Sequence, residues 1–208
     1  MDGVRNLPLF ILSGFLLNIT PGPDTFYILG RSIAQGRRAG VLSALGISCG
    51  CVVHTLAAAL GLSVILSTSA GAFVALKLIG AAYLVYLGVR MWRDQSPSPE
   101  APTAADRSND WGLFWSGMLT NVLNPKVALF FLAFLPQFVD PAAPSKFAAF
   151  LFLGGVFIVN GTAWCLFLAL AASTLSKRLR ARSSFASAMK RATGAVFIAL
   201  GIKLAVSK

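Results

Sequence analysis

Charge is what this chain has least of. Only 12 % of its 208 residues are charged, against about 25 % in a typical soluble domain. It contains seven acidic residues, one histidine and three cysteines. A single histidine and no paired carboxylates within the apolar runs leave no acid–base constellation. The sequence has no GxSxG turn and no P-loop glycine pattern, so nothing supports a serine hydrolase or ATP-driven work by this chain alone. Cys49, Cys51 and Cys165 all sit inside apolar runs. They read as small packing residues, since three such cysteines make no disulfide framework and C-x-C is a weak metal pattern. No metal or other cofactor is expected. A leader signature is also missing: Met1–Arg5 has no basic n-region, and no small-residue cleavage site follows. The first apolar run is expected to be a retained span.

What the chain does have is hydrophobic length. Hydrophobic residues make up 56 % of it, and its mean hydropathy is +0.74. The expected class is an all-α, multi-pass membrane protein with the lipid bilayer as solvent. The net charge of +11 does not indicate nucleic acid, because the basic residues lie in short connectors between apolar runs.

Six candidate spans follow: 7–30, 41–66, 71–91, 111–135, 147–172 and 192–206. Most meet the requirement of about 20 residues for a core about 30 Å thick. Lys190 and Arg191 extend the short sixth by snorkelling. Twelve of the eighteen Lys/Arg fall in the connectors after spans 1, 3 and 5, which places those connectors in the cytoplasm and both termini outside. If the halves of span 1 form a hairpin, the count drops to five and the N-terminus moves inside. The Pro- and Ser-rich segment 94–110 reads as a cytoplasmic linker. It separates residues 1–93 from residues 111–208, three spans each. Two three-span groups of similar pattern must be inverted repeats. Asn18 precedes Pro21 as Asn121 precedes Pro125, and Lys77-x-x-Gly80 matches Arg191-x-x-Gly194.

Two interruptions carry the functional signal. Asn18-Ile-Thr-Pro-Gly-Pro-Asp24 breaks span 1, and Asn121-Val-Leu-Asn-Pro-Lys126 breaks span 4. Asp24 within a span costs about 2.5–3.5 kcal/mol on insertion scales. In the second break Asn124 is expected to cap a new half-helix beginning at Pro125. In the first, Thr20 is expected to cap and Pro21 to take the first helical position. Helix N-termini carry roughly +0.5 charge. With Lys126 they form a positive end, and Asp24 forms a negative one, a pair suited to a zwitterion. The expected binding residues are Thr20, Pro21, Gly22, Pro23, Asp24, Asn124, Pro125 and Lys126. A purely structural Asp24–Lys126 ion pair is the alternative, though a poor stabiliser. His54 is either a proton relay or a neutral packing residue. Lys77, Asn121 and Asn160 are further candidates for lining the pocket, Asn160 together with Trp164 one turn on. Gly46, Gly50 and His54 share one face of span 2, which packs within one chain or between two copies in a homodimer.

The combination resembles the LysE/RhtB family of bacterial amino-acid exporters. The residues that carry it are 18–24, Gly46, Gly50, His54, the Lys77–Gly88 stretch, Asn124-Pro125-Lys126 and Phe134-Leu-Pro-Gln-Phe138. The resemblance implies an inner-membrane secondary transporter that exports amino acids or derivatives on the proton gradient, and no enzyme. The residues themselves leave open a small membrane enzyme using His54 or Asp24, or a carrier of another small solute.

Overall fold

The computed structural model describes residues 3–63 and 109–179 continuously, with scattered positions within 71–93 and 195–206. Lys77 and Lys203 lie outside the described residues, as does most of spans 3 and 6 and the linker. Among the described residues the structure is helical, with one isolated antiparallel bridge between Val4 and Val139.

Helix α1 covers Leu7–Ile19 and α2 covers Pro23–Gln35. Gly36 ends α2 at φ +85°. That backbone region favours glycine, and it lets α3 begin at once at Arg37. Helix α3 runs Arg37–Ala57 and continues through a π-helical turn, Ala58–Leu62. Helix α4, Asp110–Val122, opens on an Asn109 cap whose side chain accepts from Gly112 N at 2.8 Å. Helix α5, Pro125–Leu129, continues through a π turn, Phe130–Phe134, and a 3-10 turn, Leu135–Phe138. Helix α6 runs Lys146–Leu179.

Two described helices are long and apolar enough to cross a membrane, Arg37–Leu62 and Lys146–Ala172. A third crossing arises if Asp110–Val122 and Pro125–Phe138, bent by 46° at their break, count as one span. Their outward faces are apolar: Leu12 and Leu16 on α1, Trp115 and Leu119 on α4, and Val159 and Phe167 on α6 are all exposed. Such a surface suits lipid and not water.

Contacts at the two ends set the direction of the broken segments. At one end Arg5 N donates to Phe138 O at 2.8 Å, Asp140 N donates to Gly3 O at 3.0 Å, and Arg5 pairs with Asp140 at 2.7 Å. At the other end Arg38 pairs with Asp110 at 2.5 Å. The start of α1 therefore lies beside the end of the α5 segment, and the α2–α3 turn lies beside the start of α4. The segments 7–35 and 110–138 run antiparallel. The first does not fold back as a hairpin, since α1 packs on α6 while α2 packs on α3, α4 and α6. The Ala142 N–H and the Arg5 side chain hold the Asp140 carboxyl below its ordinary value. That lowered value means the pair stabilises the fold above the unfolded carboxylate's value, about 3.9, and loses this contribution as pH falls through the folded one.

Two clusters fill the core. A phenylalanine layer of Phe10, Phe130, Phe131, Phe134, Phe138 and Phe157 lies toward the Arg5–Asp140 end, with Phe130 and Phe157 stacked at 4.7 Å. Ile28, Ala44, Ile47 and Ala169 form the second. Between α3 and α4 the backbones nearly touch. A Cβ on Gly46 would overlap the Phe114 carbonyl oxygen, one on Gly117 would meet Ser43 O at 2.6 Å, and one on Gly50 would meet Asn121 Oδ1 at 2.7 Å. The small-residue face of span 2 is therefore used within the chain. Gly46→Leu or Gly117→Leu should destabilise by about 1–3 kcal/mol, the usual cost of overpacking. Gly155→Ala, which meets nothing within 4 Å, should leave the melting temperature of detergent-solubilised protein unchanged. Equal melting for all three variants would rule out this interlock.

Candidate functional site

The second break forms as its capping residues predict. α4 stops at Val122, Asn124 Oδ1 accepts from Lys126 N at 3.1 Å, and Pro125 is the first residue of α5. The first break departs from expectation. Thr20 closes α1 instead of opening α2: its hydroxyl donates back to Leu16 O at 2.6 Å. Gly22 is the residue before α2, and Pro23, not Pro21, takes the first helical position. A hydroxyl one turn beyond Leu16 finds a helical carbonyl ready-made, so the C-terminal cap wins. Asp24 and Lys126 thus occupy matching places, each directly after the proline that restarts its helix.

Each of these residues reaches across to the other break. Lys126 Nζ donates to Leu17 O at 3.1 Å and to Thr20 O at 2.7 Å, the carbonyls left open at the end of α1. Cations are favoured there by both hydrogen bonding and the helix dipole. Gly22 leaves room for the ammonium, since a Cβ there would lie 3.3 Å from Nζ. In the other direction Asn121 Nδ2, in the last turn of α4, donates to Asp24 Oδ2 at 2.8 Å. Asp24 and Lys126 are 8 % and 5 % exposed, yet no ion pair joins them. Two of the three ammonium donors of Lys126 thus go to carbonyls of the first break.

Asp24 and Lys126 face one cavity of about 20 Å³, lined also by Asn18, Ser48, Asn121, Thr162 and Trp164. That is room for about one water molecule. Cys51 and Cys165 are in its wall, and among the described residues no cluster of metal-ligating side chains occurs. Ser48 and Thr162 share a hydroxyl hydrogen bond of 2.7 Å, joining α3 to α6. Four polar atoms of the lining have no hydrogen-bond partner in the protein: Asn18 Nδ2, Asp24 Oδ1, Asn121 Oδ1 and Trp164 Nε1. Leaving such atoms unmet costs about 1–3 kcal/mol each, so their concentration at one place is unusual. The two asparagines are also alike in setting. Asn121 lies against Gly50 of α3, and Asn18 lies against Gly161 of α6.

Of the residues read from sequence, the structure brings together Asp24, Asn121 and Lys126 in the cavity wall, with Gly22 against the Lys126 ammonium and Thr20 as its acceptor. Asn124 is buried beside them and caps α5. Pro21, Pro23 and Pro125 shape the backbone of the two breaks. His54 stands one step removed: its Nε2 is 3.1 Å from Asn121 O and its ring stacks on Phe131. Asn160 is not at the cavity. It donates to Ile11 O at 3.3 Å and lines a separate outer groove with Leu12 and Phe15. Arg31, counted as a connector residue, is inside α2, buried, with its guanidinium 5.5 Å over the Tyr27 ring. The sequence reading missed Ser48 and Thr162, whose signal is weak because lone hydroxyls in spans more often satisfy their own helix.

Comparison with known proteins adds the family. The LysE type translocator model matches residues 15–208. The chain belongs to this family. A homoserine/homoserine lactone efflux protein of Salmonella typhimurium is 32 % identical over 202 residues, covering 96 % of this chain and 95 % of the relative. A leucine efflux protein of Klebsiella pneumoniae is 27 % identical over 203 residues, covering 98 % and 96 %. An uncharacterized membrane protein of Pseudomonas aeruginosa is 32 % identical over 210 residues, covering 99 % and 97 %. No solved structure matches. Family membership makes this a membrane translocator, and the exposed apolar helices agree.

The Lys126 bridge yields a stability test. Lys126→Met keeps the unbranched stem as far as Cε but leaves the Leu17 and Thr20 carbonyls without their donor. A loss of about 1–3 kcal/mol is expected, read as a lower melting temperature in detergent. A Lys126→Met protein that melts with the wild type would show that the bridge does not hold the breaks together.

Proposed function

We propose that this translocator exports amino acids or close derivatives across the bacterial inner membrane as a proton-coupled secondary carrier. The observation that carries the reading is the Asp24 carboxylate. It is buried in the cavity wall at the meeting of two helix breaks, with Oδ2 held by Asn121, Oδ1 without a hydrogen bond in the protein, and the Asn124 amide and Lys126 ammonium nearby. A carboxylate so placed can accept either a substrate ammonium or a proton, and exchange of one for the other couples their movements. His54 hydrogen-bonds the backbone carbonyl of Asn121, whose side chain holds Asp24, which puts a second titratable group near the acid. Lys126 gives the cavity its positive side, and the paired breaks at residues 20–24 and 124–126 form the site. The relatives named for efflux of homoserine, homoserine lactone and leucine support the amino-acid class.

The architecture we propose is two inverted three-helix repeats, residues 1–93 and 111–208, joined by a cytoplasmic linker at 94–110, with both termini outside. The antiparallel broken segments, the matched positions of Asp24 and Lys126, and the matched asparagine–glycine contacts support it. The cavity volume corresponds to a closed state, so alternating access would open it to one side at a time.

Purified protein in proteoliposomes, loaded with labelled amino acids under an imposed pH gradient, tests this reading. Asp24→Asn keeps the shape and removes the charge, and should lower flux at least tenfold while the protein melts normally. Wild-type flux from both Asp24→Asn and Lys126→Ala would refute the site.

A further inference from the structure

The closed cavity offers more than an acid. Its four unmet polar atoms divide into two acceptors and two donors. Asp24 Oδ1 and Asn121 Oδ1 accept. The direction of Asn121 is set by Asp24, because the amide nitrogen must face the carboxylate and so turns the oxygen away. Asn18 Nδ2 and Trp164 Nε1 donate. Trp164 is held by an edge contact to Phe15 and stacking on Phe167, at 6.2 and 5.5 Å between ring centres. Its indole N–H is thereby fixed in the cavity wall. Asn18 rests on Gly161, where a Cβ would lie 3.3 Å from its amide nitrogen.

Resting on the exporter reading, we propose that Asn18 Nδ2 and Trp164 Nε1 bind the substrate carboxylate, opposite Asp24 and Asn121, and that the site takes zwitterions with uncharged side chains. The Lys126 ammonium already gives two of its three donors to Leu17 O and Thr20 O, so the two neutral donors supply most of the hydrogen bonds while Lys126 adds its positive field. Among the described lining residues Asp24 is the single acid and Lys126 the single base. A zwitterion's two charges use both signs. A third charge on the substrate side chain would meet apolar wall such as Ile47, Phe157 and Ile158, and an unpaired charge in such surroundings is strongly disfavoured.

The test is equilibrium binding to the full chain in lipid nanodiscs, with leucine, leucinamide and lysine as probes. Leucinamide keeps the ammonium and the side chain and lacks the carboxylate. The wild type should bind leucine at least tenfold more tightly than either other probe. Trp164→Phe keeps the aromatic contacts and deletes the N–H. It should reduce the leucine-to-leucinamide preference about tenfold, the scale of one hydrogen bond to a charged group. Asn18→Leu should do the same. A fold defect would weaken both probes together and leave the ratio high, so an unchanged ratio in both variants overturns the carboxylate assignment. Lysine bound as tightly as leucine overturns the uncharged-side-chain class. A wild type that binds no amino acid at all overturns the exporter reading as well, a result the variant ratios do not imitate.

Discussion

The arrangement depends on two helix ends satisfying one another across the bundle. A broken helix leaves carbonyls open where it stops and amides open where it restarts. In lipid no water is at hand to meet them. Here the residue after each restarting proline reaches across to the other break, one to backbone and one to a side chain. Lys126 closes the carbonyls of α1, and Asp24 is bound by the last turn of α4. These contacts join two stretches about a hundred residues apart in sequence. The exchange is also asymmetric. Lys126 gives two donors to backbone, whereas Asp24 accepts from a side chain and has one oxygen without a hydrogen bond in the protein.

Parts of this were legible in the sequence. Asn124-Pro125 is an unambiguous start, because Asn caps well and Pro fits only the first turn, and the helix obeys both. The first break offers two prolines, a glycine and a threonine within four residues. Local rules cannot rank them, since the outcome turns on which helix the Thr20 hydroxyl joins. That Asp24 and Lys126 meet at one cavity was readable from their opposite charges in interrupted apolar runs. What Lys126 touches was not, because its acceptors are backbone carbonyls, which carry no sequence signature. The glycine spacing of span 2 announced a close helix contact without naming the partner, which proved to be α4.

Asn160 shows the limit of periodicity. It is one turn from Trp164, and positions four apart on a helix differ by about 40° around the axis. Near the edge of a packed face that angle is decisive. Trp164 turns into the cavity, while Asn160 turns to the outer groove and the Ile11 carbonyl. Side-chain reach adds to the difference, as an indole spans a gap that an amide does not.

The interlocked glycines of α3 and α4 decide where the molecule can move. Backbone in contact with backbone cannot slide or pivot by small steps without steric collision, and packed surfaces of this kind shift between discrete seatings or not at all. α3 and α4 lie on either side of residues 94–110 in sequence, so their seam ties two distant stretches of the chain together at the level of the backbone. The α1–α6 wall is made differently, through rings and amides such as Phe15 on Trp164 and Asn160 on the Ile11 carbonyl. Side chains can turn at that wall with far less disturbance than backbone can shift at the α3–α4 seam, so the two walls of the cavity differ in stiffness.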